Sequence, residues 1–130
     1  MSEDDIEFKA SIWYVMVRAV DKFYSETSRF PGSTDSTLDE DAMVLKTHAS
    51  KLLKLCQAGQ DFMAIATDEI VENYAKEMTR SGGEQLHSVS AFVGGLVAQE
   101  VIKLVTGQYV PLNNTLIYDA AGSYTRTIRI

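Results

Sequence analysis

Cys56 is the only thiol in this 130-residue chain, so any covalent chemistry through sulfur would have to pass through it. A reactive cysteine needs its pKa depressed by a helix N-terminus or a neighbouring cation. Cys56 instead falls late in a helical pattern, one turn after Leu52, at the dipole end that disfavours a thiolate. Its expected role is core packing. His48 and His87 are the only imidazoles, and neither stands at a metal-ligand spacing with another His or Cys. His48 is expected on a helix surface. His87, which opens a strongly apolar segment, is a candidate interface contact. The acidic run from Asp35 to Asp41 reads as a helix start with a solvated loop, not as a cation site.

Two further features could carry function. Gly94-Gly95 could suggest a phosphate loop, but that chemistry places glycines between a strand and a helix, with backbone amides facing the anion. These glycines lie inside a helical pattern, where each costs about 1 kcal/mol relative to alanine. Close approach of another backbone explains them better. Gln99, Glu100 and Lys103 form the only polar stripe on the same segment, at helical spacing. The stripe is either a solvent-facing seam or a polar contact across a subunit interface.

The elements that must position these residues follow from periodicity and turn chemistry. A first helix is predicted from about Asp4 to Ser25, with Ile12, Val15, Met16, Ala19, Val20 and Phe23 on one stripe. Pro31-Gly32 stops it. A second is predicted from about Thr37 to Ala58, capped by Ser36 or Thr37 and carrying Leu45, Leu52, Leu53 and Cys56. The stretch Asp61 to Ala66 could be a short strand or the lead into a third helix, which Thr67 caps and which reaches about Thr79. A fourth helix, about Glu84 to Thr106, ends at Gly107, and two strands follow, Thr115–Asp119 and Tyr124–Ile130. The expected fold is mainly α with a C-terminal β-hairpin, an α+β arrangement. The expected division is a helical segment over 1–80, a hinge at 81–83 and a C-terminal part over 84–130.

Charge is distributed unevenly along the chain. Residues 1–80 carry 9 basic and 15 acidic side chains, whereas residues 81–130 carry 3 of each. The first part reads as a solvated acidic body and the second as interior. An acidic chain without a basic stripe is a poor nucleic-acid binder. The single cysteine excludes an internal disulfide and fits a reducing compartment. No apolar run near 18 residues is present, and the acidic start MSEDDIEFK is unlike a signal peptide. The expectation is a cytoplasmic or nuclear protein with no membrane partner.

The segments AFVGGLVAQEVIKLVTG and LIYDAAGSYTRTIRI resemble the closing helix and hairpin of the ThiF/MoeB-like adenylation domain of ubiquitin-like-protein-activating enzymes. With IWYVMVRAVDKFYSETSRFPG and the NNT before the hairpin, the chain is similar to the C-terminal portion of the regulatory subunits of the neddylation-activating enzyme, the amyloid-precursor-binding-protein-1 type. The resemblance implies a fragment of an α/β adenylation domain joined to the end of its helical insert, the region corresponding to a catalytic-cysteine domain. It implies a non-catalytic half of a heterodimer. The catalytic partner subunit would hold ATP and magnesium and take a Nedd/Rub-type modifier as a thioester.

No catalytic, cofactor-binding or metal residue is carried over to this chain. The candidate interface residues are His87, Gln99, Glu100 and Lys103, and Gly94 and Gly95 are close-packing positions. The family's glycine-rich nucleotide-fold half has no counterpart in these residues, so the chain is expected to be one piece of a larger domain. Two alternatives stand beside this reading. One is a fragment of a MoeB/ThiF-like sulfur-carrier adenylyltransferase, against which the lack of paired Cys-x-x-Cys ligands counts. The other is a self-contained helical interaction module.

Overall fold

The computed structural model describes residues 3–34, 37–55 and 66–129. Among the described residues, four helices, α1 (Glu3–Thr27), α2 (Leu38–Leu55), α3 (Asp68–Ser81) and α4 (His87–Thr106), precede strands β1 (Thr115–Asp119) and β2 (Tyr124–Ile128). The mainly helical fold with a terminal hairpin is the one the periodicities predict. Ser36, Cys56 and the ambiguous stretch from Asp61 to Ile65 lie outside the described residues. The chain divides into two compact units, Ser11–Glu84, and Met1–Ala10 with Gln85–Ile130.

The Ser11–Glu84 unit is built by three apolar stripes. Ile12, Met16, Ala19 and Phe23 of α1, Leu45, Ala49 and Leu53 of α2, and Val71 and Ala75 of α3 are all buried. Their three- and four-residue spacing puts each set on one helix face. Trp13 and Tyr74 meet edge to face, with ring centroids 4.8 Å apart. Thr67 caps α3 as predicted, its hydroxyl oxygen accepting from the Ile70 amide at 3.4 Å. Lys46 on α2 donates to Asp68 at 2.6 Å and to Glu72 at 2.8 Å. Together with Lys76, Lys46 holds the Glu72 carboxyl down at about 2.

The α1–α2 connection departs from the expectation of a solvated acidic loop. Asp39 and Glu40 are exposed, but Asp41 is buried. Both guanidinium arms of Arg29 donate to its carboxylate at 2.6 Å. The Gly32 amide adds a bond at 3.0 Å and the Thr37 hydroxyl one at 3.2 Å. The Arg29 hydrogen bonds hold the Asp41 carboxyl below the usual range against the opposing effect of burial, and the Gly32 amide assists. Arg29 also lies over the Phe23 ring, 5.2 Å from its centroid. One carboxylate thus joins the end of α1, the Pro31-Gly32 turn and the start of α2.

The same turn presses on α3. Gly32 has φ of +75°, and a Cβ there would run into the Thr79 carbonyl. Thr79 is itself buried, its hydroxyl donating to the Ala75 carbonyl at 2.8 Å. Only glycine satisfies both the left-handed backbone and the close approach.

In the other unit β1 and β2 pair antiparallel, with Thr115 opposite Ile128 and Asp119 opposite Tyr124. Tyr124, Arg126 and Ile128 are half-buried while Thr125, Thr127 and Arg129 are exposed, which is the predicted alternation. Arg126 donates to Glu7 at 2.9 Å.

Two substitutions test these joints by thermal and denaturant melting. Asp41→Asn should cost about 2 kcal/mol at pH 7 by weakening charge-assisted bonds in a buried site. Because the folded-state pKa is depressed, this contribution is present above the usual aspartate value of about 3.9 and lost as pH falls through the folded pKa. The gap between wild type and variant should therefore close on acidification, and equal stability at pH 7 would contradict the clamp. Gly32→Ala should cost about 2 kcal/mol or more through φ and the Thr79 contact, and a neutral result would contradict that packing.

Candidate functional site

Helix α4 is apolar on nearly every side and buries none of its residues. Beyond Thr79 no described residue is buried. The expectation that residues 81–130 are interior is therefore not met among the described residues: their composition is that of a core, but none of them is buried. Val97 is 57% exposed, Leu104 68%, and Val110 in the following loop 88%. Scattered exposed apolar residues are ordinary, whereas a contiguous apolar face marks an interaction surface.

By length and composition α4 is also apolar enough to cross a bilayer. This corrects the reading that no segment is, because the helix as a whole reaches that level even though Glu100 and Lys103 interrupt the run. The core helix of a soluble protein passes the same test.

The helix has defined ends, and it meets the hairpin and the loop that follows it. Gly107, at φ +64°, closes it in the left-handed conformation, its amide donating to the Lys103 carbonyl at 2.9 Å. Leu86 precedes it without a side-chain cap. Phe92 packs against Tyr118 of β1, with ring centroids 4.5 Å apart. A groove of about 560 Å³ runs between α4 and the chain that follows, lined by Val93, Leu96, Val97, Val101, Leu104, Leu112 and Leu116 among others.

Glu100 is the charged residue in that lining, and its charge is already matched. Lys103 donates to one carboxylate oxygen at 2.6 Å, and the Leu112 amide donates to the other at 2.8 Å. These bonds, Lys103 first, hold the Glu100 carboxyl below the usual glutamate range. The pair pins the loop after α4 to the helix and leaves the groove without excess charge. What the groove can do chemically is receive an apolar surface.

The other sequence-predicted positions are distributed as follows. Gln99 is exposed and stands outside the Glu100–Lys103 pair. His87 is the first residue of α4 and is exposed. Gly94 and Gly95 have nothing within 4 Å of where a Cβ would lie, so among the described residues no backbone makes the close approach expected there. Cys56 lies outside the described residues.

His48 is a correction. It is 7% exposed, because it follows Leu45 by three residues and shares the buried stripe of α2. Its Nε2 lies 3.0 Å from a Glu26 carboxylate oxygen, yet neither ring nitrogen has an aligned hydrogen bond among the described residues. No group of three His, Cys, Asp or Glu residues that could hold a metal occurs among the described residues.

Sequence reasoning placed Glu100 and Lys103 together but missed Leu112, whose backbone amide completes the arrangement. A backbone donor carries no side-chain signal. The pairing of Phe92 with Tyr118 was also missed, although an aromatic on each of two adjoining apolar segments was a usable hint.

Comparison with known proteins adds what geometry does not. No protein-family model matches the chain. It is 36% identical over 118 residues to the NEDD8-activating enzyme E1 regulatory subunit of Caenorhabditis elegans, covering 90% of this chain and 22% of that protein. It is 38% identical over 118 residues to the NEDD8-activating enzyme E1 regulatory subunit AXL of Arabidopsis thaliana, covering 91% and 21%. A more distant match, 29% over 107 residues, is to the ubiquitin-like modifier-activating enzyme 1 of Oryctolagus cuniculus, covering 82% of this chain and 9% of that protein. The chain thus spans about a fifth of the length of the regulatory subunits it matches.

The Glu100 tether has a direct test. Glu100→Gln should speed hydrogen exchange of the Leu112 amide severalfold at pH 7, because the amide loses its charged acceptor. In the wild-type chain the amide should lose protection as pH falls through the depressed glutamate pKa. Exchange at Leu112 that ignores both changes would rule the tether out.

Proposed function

We propose, from homology to NEDD8-activating enzyme E1 regulatory subunits over nine-tenths of the chain, that this chain serves association and not catalysis. In this reading it is a segment of the non-catalytic subunit of a heterodimer that activates a Nedd/Rub-type modifier. The exposed α4 groove is the surface through which it joins the rest of the assembly. ATP, magnesium and the modifier thioester belong to the catalytic subunit.

The observation that carries the proposal is α4 itself: a 20-residue apolar helix with no buried residue. Burying a Val or Leu side chain that is otherwise exposed contributes about 1.5–3 kcal/mol. Val97, Val101 and Leu104 therefore offer several kcal/mol to whatever covers them. Gly94 and Gly95 leave room for a neighbouring backbone to approach on the same helix. The neutral balance of residues 81–130 fits an association led by apolar burial more than by charge.

The experiment replaces the matched segment of a relative's regulatory subunit with this chain and measures ATP-dependent NEDD8 thioester formation on the catalytic subunit. The chimera should support the reaction. Val97→Glu combined with Val101→Glu should reduce it at least tenfold, since two buried carboxylates would each cost more than the 1.4 kcal/mol that a tenfold change requires. Undiminished thioester in that double variant would overturn the assignment of the groove.

A second measurement addresses catalysis directly. The chain alone, given ATP and the modifier, should form no reducible adduct. An adduct that appears with the wild-type chain and disappears in Cys56→Ser would overturn the non-catalytic reading.

A further inference from the structure

We draw no further inference here: the strongest candidate, the apolar groove between α4 and the Pro111–Leu116 segment, shows nothing in the structure of what covers it beyond the association already proposed.

Discussion

Burial is the constraint on which the rest of this chain depends, and it is unevenly met. Every buried residue among those described lies between Ala10 and Thr79. The three stripes of α1, α2 and α3 close on one another and remove their apolar faces from water. Helix α4 has the more apolar sequence, yet none of its residues is buried. A helix apolar all round is stable in water only when other surfaces enclose it. The exposed apolar face is therefore the feature on which the proposed association rests.

The Ser11–Glu84 unit shows the complementary case, in which polar groups are buried and satisfied. Asp41 would be costly in an apolar interior by itself. Four donors from Arg29, Gly32 and Thr37 offset that cost and fix the geometry of the connection. Gly32 then brings the same turn against the end of α3. The Lys46–Asp68–Glu72 network is more exposed and contributes less, because solvent screens it. Glu100 repeats the logic on a smaller scale beside α4, where one lysine and one backbone amide neutralise the single acid of an apolar groove.

Much of this was legible in the sequence because it is local. The spacing of Ile12, Met16, Ala19 and Phe23, the Thr67 cap and the alternation from Tyr124 to Ile128 all depend on near neighbours. Asp41 and His48 were misplaced for the opposite reason. Asp41 looks like one more acid in a helix first turn until Arg29, twelve residues earlier, folds onto it. His48 looks polar until its position three residues after Leu45 is taken as seriously as its chemistry. For Gly94 and Gly95 the sequence suggests close packing against another backbone, and among the described residues the space beside both is open. Composition shows that a surface is suited to burial; it does not show what buries it.

Hydrogen exchange along His87–Thr106 tests the central claim most directly, measured in the chain alone and in a chimera where it replaces the matched segment of a NEDD8-activating enzyme regulatory subunit. Covering even two of the exposed aliphatic side chains is worth about 3 kcal/mol, enough to slow opening of the helix about 100-fold. The predicted result is modest protection of α4 alone and slowing of that size on incorporation, with the amides of the Ser11–Glu84 core already protected in both. Equal exchange of α4 in the two states would contradict an association role for this helix.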